Sequence, residues 1–134
     1  MSEARAAPLL SAVKAFNEGG VEPALEFFDP NLEWIAPPDW LEDRLYEGHD
    51  GLRRLSAFWT QLFDDYRLEP ERSMNVREVE VVLLLHQRGQ IKGSGDPVDQ
   101  DVGWLAQIRD GLVTRVNIYF SWEETLEAAG LPSQ

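Results

Sequence analysis

Three side chains of this sequence could move a proton or hold a carbonyl oxygen: His86, Asn117 and Tyr119. Histidine titrates near neutral pH, so His86 is the candidate general acid or base. An asparagine amide or a tyrosine hydroxyl can stabilise an enolate oxygen, which is the role predicted for Asn117 and Tyr119. Ordinary structural hydrogen bonding is the alternative interpretation of all three side chains.

Four aromatic side chains are candidates to line a site for a flat, apolar ligand: Trp34, Trp40, Tyr46 and Trp104. Ligand sites in proteins are mostly apolar, with a few polar groups that fix the ligand's orientation. Trp40 lies in a charged, irregular segment at the predicted mouth of the site, where it could act as a lid. The alternative is that these rings belong to the ordinary hydrophobic core.

The composition argues against several other classes of function. The chain has no cysteine, which excludes disulfides, thiolate catalysis and zinc–thiolate sites. Its two histidines lack a metal-ligand spacing such as His-x-x-x-His, so neither a metal nor a cofactor is predicted. A net charge of −12 argues against binding to nucleic acid or to an anionic membrane surface. Because no apolar run reaches membrane-spanning length, a cytoplasmic location is expected.

Two predicted strands joined by a tight turn must position the candidate polar residues. Residues 98–120 contain two runs rich in β-branched and aromatic residues, one on either side of Asp110 and Gly111. Asp-Gly is typical of a type I′ turn, which needs a positive φ at both central residues. If the two strands pair residue by residue from that turn onward, Trp104 lies opposite Asn117.

Side chains alternate between the two faces of a strand, so this pairing assigns each residue of the hairpin to one face. It predicts that Trp104, Asn117 and Tyr119 share the wall of a cavity. A second apolar group falls on the opposite, outer face and is expected to meet another copy of the chain: Leu105, Val116 and Ile118.

The order of the remaining elements indicates an α+β fold. Helices are predicted at 8–18, 21–28, 51–63 and 122–129, and further strands at 32–36, 66–69 and 75–87. A chain of 134 residues fits a single domain spanning 1–134. We expect a curved, mostly antiparallel sheet wrapped around helices, with a conical cavity on its concave side. Because the outer face is also apolar, we expect a homodimer through that face.

Several segments of the sequence resemble SnoaL-like proteins of the nuclear transport factor 2-like superfamily. The matching segments are 28–34, 46–52, 88–95, 108–116 and 126–131. The resemblance covers essentially the whole chain and implies a cone-shaped, cystatin-like α+β barrel with a conical pocket and a sheet-to-sheet homodimer. The superfamily includes polyketide cyclases, ketosteroid isomerases, limonene-epoxide hydrolases and scytalone dehydratases.

The chain departs from these enzymes at the positions where the resemblance would place their catalytic residues. Ketosteroid isomerases have an aspartate base where this chain has Ala36, and an oxyanion-stabilising aspartate where it has Trp104. The Arg-x-Asp pair of limonene-epoxide hydrolases does not occur in the predicted strands.

These observations predict a protein that binds a hydrophobic small molecule in an apolar conical pocket. A cofactor-free isomerase, cyclase or dehydratase acting by proton transfer on a carbonyl compound is one form of this hypothesis. A non-catalytic ligand-binding or dimeric association module is the alternative. A pocket carboxylate or histidine with a strongly perturbed pKa would favour the enzyme, and the lack of one would favour binding alone.

Overall fold

The structure, a computed structural model, describes residues 2–37 and 44–132, with residues 2–4 as backbone only. The helices are α1 (Ser2–Gly19), α2 (Val21–Ala24), which a 3₁₀ turn (Leu25–Phe27) follows, α3 (Gly48–Leu62) and α4 (Trp122–Ala128). The strands are β1 (Phe28–Ile35), β2 (Leu45–Glu47), β3 (Phe63–Asn75), β4 (Glu80–Ile91), β5 (Pro97–Arg109) and β6 (Leu112–Tyr119). No helix within the described ranges is long and apolar enough to cross a membrane.

All six strands form one sheet in the order β2-β1-β6-β5-β4-β3. Neighbouring strands are antiparallel except β1 and β6, which run parallel. The predicted α+β fold with a mostly antiparallel sheet is therefore confirmed. The three long strands β3, β4 and β5 make up one side of the sheet, and the short strand β2 ends the other.

Helices α1 and α3 cover the concave face of the sheet. In α1 the buried residues recur at helical spacing, so that one stripe of the helix faces the sheet: Ala6, Leu9, Ala12 and Val13. In α3, Gly51 lies directly against the backbone of Tyr46, where an added Cβ would come within 2.7 Å. This close approach brings Leu52 and Leu55 down onto the sheet, where both are buried.

The outer face of the sheet is covered in part by the chain's own C-terminal helix. Leu126 of α4 and Ala129, which follows it, pack with Val82, Leu84 and Leu105 in a second hydrophobic cluster. The sequence predicted a second copy of the chain over Leu105, but α4 already buries that side chain.

A glycine permits this packing of helix on sheet. A Cβ at Gly103 would lie 1.8 Å from Oγ1 of Thr125, so only a glycine lets α4 approach so closely. Thr125 is itself fully buried, and its hydroxyl donates to the backbone carbonyl of Ser121 at 2.8 Å.

The β5–β6 hairpin has the predicted turn but not the predicted register. Asp110 and Gly111 have φ values of 53° and 78°, as a type I′ turn requires, and Ile108 pairs with Val113 as expected. The next pair joins Gln107 to Arg115, so Thr114 is an extra residue that forms a β-bulge. From this bulge onward every residue of β6 is shifted by one.

The predicted assignment of faces is therefore wrong beyond the bulge. Trp104 lies opposite Ile118 instead of Asn117, and Asn117 lies opposite Leu105. Val116 and Ile118 belong to the core beneath the helices, on the same side as Trp104. Asn117 and Tyr119 alternate with them and lie on the outer face.

Candidate functional site

A cavity of about 90 Å³ lies between the helices and the concave face of the sheet. Its volume is of the same order as the ~150 Å³ of an engineered apolar cavity that binds benzene. Its floor is built from buried side chains of both layers, among them Leu55, Val102 and Ile118. The residues around its mouth are only partly buried: Phe16, Val21, Ser56, Trp59, Tyr66 and Phe120.

Aromatic rings form two walls of the cavity. On one side Trp34 and Trp104 meet edge to face, with ring centroids 5.0 Å apart and planes at 77°. On the other side the rings of Trp59 and Tyr66 lie parallel, with centroids 5.9 Å apart and planes at 2°. Phe16 contacts Tyr66 edge-on at 5.9 Å and narrows the space from the α1 side. Aromatic rings therefore make up a large part of the cavity wall.

Two of the residues that line the cavity have a buried polar atom without a hydrogen-bond partner. Gln87 is only 3% exposed, and its Nε2 donates to the hydroxyl oxygen of Tyr66 at 2.7 Å. Its other amide atom, Oε1, is buried without a hydrogen bond. The indole Nε1 of Trp34, a residue 6% exposed, is also buried without a hydrogen bond. Unpaired buried polar atoms are uncommon in folded proteins and mark a place where a partner belongs.

Sequence reasoning did not identify Gln87 or Tyr66 as site residues. A signal for Gln87 exists, because it follows Leu83 and Leu85 at alternate positions and so continues the inward face of β4. No comparable pattern marks Tyr66, which lies where the pairing of β3 with β4 shifts between Asp64 and Arg67.

Of the described residues that line the cavity, Tyr66 is the only one with an ionisable side chain. Burial raises the pKa of its hydroxyl far above the ordinary value of 10.0, while the hydrogen bond from Gln87 opposes the rise. Tyr66 is therefore neutral at physiological pH. The described wall contains no carboxylate and no histidine.

His86 lies on the outer face of the sheet, away from the cavity. It alternates with Val82 and Leu84 along β4, and its ring lies 5.1 Å from that of Trp122. Its Nδ1 is 3.2 Å from a carboxylate oxygen of Asp101, and its Nε2 is 3.7 Å from one of Glu71. His86 is thus surrounded by surface carboxylates instead of by the ligand cavity. The described residues contain no group of three or more side chains arranged to hold a metal ion.

The other predicted site residues are divided between the two faces. Trp34 and Trp104 line the cavity together. Tyr46 is buried outside it, with the guanidinium of Arg54 over its ring at 4.5 Å. Trp40 lies outside the described residues.

Asn117 and Tyr119 do not reach the cavity, because the bulge at Thr114 turns both side chains to the outer face. Tyr119 packs beside α4, where burial and the charge of Glu124 raise the pKa of its hydroxyl. The structure therefore does not bring His86, Asn117 and Tyr119 to the cavity.

Comparison with known proteins places the chain in a family. The model of the SnoaL-like domain matches residues 10–116, which is most of the sequence. The chain belongs to the SnoaL-like family. No curated protein sequence matches it.

Solved structures share the fold of this SnoaL-like chain. TerC, co-crystallised with polyporic acid, superposes with a TM-score of 0.76 at 20% identity, over 94% of this chain and 98% of its own. A ketosteroid isomerase-like protein from Catenulispora acidiphila, in complex with trimethylamine, gives 0.73 at 15% identity over 93% of both chains. A protein from Jannaschia sp. described as a SnoaL-like polyketide cyclase gives 0.73 at 18%, over 96% and 93%. At these identities the likeness shows the shared fold.

Proposed function

We propose that this SnoaL-like protein binds an uncharged, largely apolar aromatic molecule in the cavity beneath α1 and α3. The observation that supports this most directly is the composition of the wall, which is almost entirely aliphatic and aromatic. An anionic ligand would lose its hydration there without meeting an opposite charge, which is strongly unfavourable. A neutral ring gains from burial against Trp34 and Trp104 without that penalty.

The form of the hypothesis that we favour is binding without turnover. General acid–base catalysis works best with a group whose pKa is close to the operating pH. Tyr66 is the one ionisable group on the described wall, and its pKa is shifted away from neutrality. His86, the predicted acid or base, lies on the opposite side of the sheet from the cavity.

A small alkylammonium ion is a second candidate ligand. The rings of Phe28, Trp34 and Trp104 are grouped in one wall, with centroids of neighbouring rings 6.4 Å and 5.0 Å apart. Grouped aromatic faces attract such cations through their π systems. The Catenulispora acidiphila protein of the same fold was crystallised with trimethylamine.

We propose further that a single chain is sufficient for binding. The described residues that line the cavity lie on the face of the sheet opposite to the predicted dimer contact. Homodimerisation through the part of the outer face that α4 leaves uncovered would not alter the wall of the cavity.

Titration calorimetry with toluene and with tetramethylammonium tests the proposal. Val102→Phe adds a ring to the cavity floor and should weaken toluene binding by at least about tenfold, because it occupies the volume that the ligand needs. Gln100→Met, on the same strand but exposed and outside the cavity, is the control and should bind toluene as the parent chain does. Tetramethylammonium binding in place of toluene would support the second candidate. If neither probe binds, or if Val102→Phe binds like the parent, the proposed site is wrong.

A further inference from the structure

We infer that ligands enter and leave the cavity between α1 and strand β3, through a seam that the side chain of Asn17 holds closed. The inference rests on the proposed function and extends it, since it specifies how a ligand reaches the cavity. Asn17 does not belong to the cavity wall, so its role is that of a positioning residue, which acts on the wall without contacting the ligand.

The amide of Asn17 binds the edge of the sheet. Within the described sheet β3 is an outermost strand, so one of its sides has no strand beside it. On the backbone of β3, Nδ2 of Asn17 donates to the carbonyl of Leu68 at 2.7 Å, and Oδ1 accepts from the N–H of Leu68 at 3.0 Å. If the amide were turned round, its donor would face the N–H and its acceptor would face the carbonyl. The observed orientation is therefore the one that forms both hydrogen bonds.

These two hydrogen bonds hold one side of the cavity wall together. Phe16 precedes Asn17, and its ring contacts that of Tyr66 edge-on, with centroids 5.9 Å apart. Phe16 on α1, and Tyr66 and Leu68 on β3, all line the cavity. Release of Leu68 by Asn17 therefore lets Phe16 move away from Tyr66, which opens the wall at this point.

A surface groove of about 350 Å³ lies at the same seam. Its lining residues belong to α1 and to β3: Leu10, Val13, Lys14, Asn17, Glu18 and Pro70. Val13 lines the cavity as well, so the groove and the cavity share a wall residue. A ligand in the groove is thus already beside the packing of α1 against β3 that separates it from the cavity.

The last turn of α1 is the part of this helix that we expect to open. The middle of α1 is buried against the sheet, whereas residues 17–19 at its end are exposed. Segments with few buried contacts and exposed hydrogen bonds open locally at low cost. At the other end of the helix, Arg5 donates to the backbone carbonyls of Arg77 and Glu80, which ties that end to the turn between β3 and β4.

A seam that opens in this way has a kinetic signature. The hydrogen bonds of Asn17 are present in the closed protein with or without ligand, and they are broken only while the ligand passes. Asn17→Ala should therefore raise the association and dissociation rates of toluene by the same factor, at least about fivefold, and leave Kd within about twofold of the parent. A residue that only stabilised the bound state would change the dissociation rate and Kd together.

Nuclear magnetic resonance line shapes during a titration give both rates, and calorimetry gives Kd. The probe is toluene, or tetramethylammonium if only that ion binds. Gln61→Ala is the matched control, because Gln61 is an exposed amide side chain in the last turn of α3 and lies outside the cavity wall. It should change neither rate.

Two results in Asn17→Ala would overturn the inference and leave the proposed function intact. One is unchanged rates, and the other is a higher dissociation rate with a proportionally higher Kd. Failure of both probes to bind the unaltered protein would overturn the inference and the proposed function together.

Hydrogen exchange of the unaltered protein is a second test, which needs no variant and no ligand. The Leu68 amide, whose bond to Asn17 breaks when the seam opens, should be protected at least about tenfold less than the amide of Leu83 in the fully buried centre of β4. Equal protection of the two amides would show that Asn17 releases Leu68 only when the whole protein unfolds, and that result would also overturn the inference.

Discussion

Nε2 of Gln87 donates a 2.7 Å hydrogen bond to the hydroxyl oxygen of Tyr66, which joins the floor of the cavity to its mouth across strands β4 and β3. In this arrangement Oε1 is the end of the amide that has no hydrogen-bond partner. The arrangement also leaves the tyrosine hydroxyl proton available to a further acceptor, since the hydroxyl oxygen is the accepting atom in this pair. The same two side chains therefore contribute both to the stability of this part of the sheet and to the wall of the cavity.

Tyr66→Phe should destabilise the protein more than the loss of one hydrogen bond suggests. The substitution leaves both polar atoms of the buried Gln87 amide without partners, which costs about 1–3 kcal/mol. Adding Gln87→Met removes the stranded amide, so the double variant should be more stable than the sum of the two single changes predicts. Urea unfolding of the four proteins measures this coupling. Strict additivity would show that the bond contributes nothing to stability.

Alkaline pH should destabilise the fold through Tyr66. Burial raises the pKa of its hydroxyl in the folded state above its ordinary value of 10.0, so the unfolded chain releases this proton first. Stability that is present below about pH 10 should then fall as the pH rises towards the folded pKa, by up to about 1.4 kcal/mol per pH unit.

Tyr66→Phe is the variant that isolates this effect. It should remove the contribution of Tyr66 to the fall in unfolding free energy with rising pH. The contribution of Tyr119, whose pKa is also raised, should remain. Urea unfolding of both proteins at a series of alkaline pH values gives the comparison. Identical slopes in the two proteins would contradict the assignment to Tyr66.

Gly103→Ala should loosen α4 from the outer face of the sheet. The added Cβ would meet Oγ1 of Thr125 at 1.8 Å, and overpacking of this kind costs about 1–3 kcal/mol. Thr125→Ala should relieve the clash only in part, because the Cβ of residue 125 would still lie 2.5 Å from the new methyl group. Thermal unfolding followed by circular dichroism compares the single and double variants. A Gly103→Ala protein as stable as the parent would show that α4 does not pack as closely as described.

The hairpin shows what local sequence can and cannot predict. The turn at Asp110 and Gly111 was predicted correctly, because positive φ is a requirement of the two turn residues themselves. The bulge at Thr114 has no such local signal. It is held by contacts of the folded state, where the Thr114 hydroxyl donates to the backbone and side-chain oxygens of Gln107 at 3.2 and 3.0 Å. One inserted residue was enough to reverse the predicted faces of Asn117 and Tyr119.

The candidate site was predictable where side chains alternate regularly between the two faces of a strand. Trp34 and Trp104 line the cavity, and they lie on strands that pair without a shift at those positions. Gln87 was not predicted because its amide is not ionisable, whereas its neighbour His86 is ionisable but lies one residue away and hence on the other face. The contact of Gln87 with Tyr66 spans 21 residues and depends on the register of β3, which sequence alone does not provide.

Substitutions on the two opposite faces of the sheet provide the sharpest test of which face binds the ligand. His86→Gln changes a side chain that contacts Trp122 and surface carboxylates, so toluene affinity should stay within about twofold of the parent. Val102→Phe, on the cavity side of the neighbouring strand β5, should weaken toluene binding by at least about tenfold. Titration calorimetry of both variants under one set of conditions makes the comparison. Loss of toluene binding in His86→Gln with full binding in Val102→Phe would move the site to the outer face.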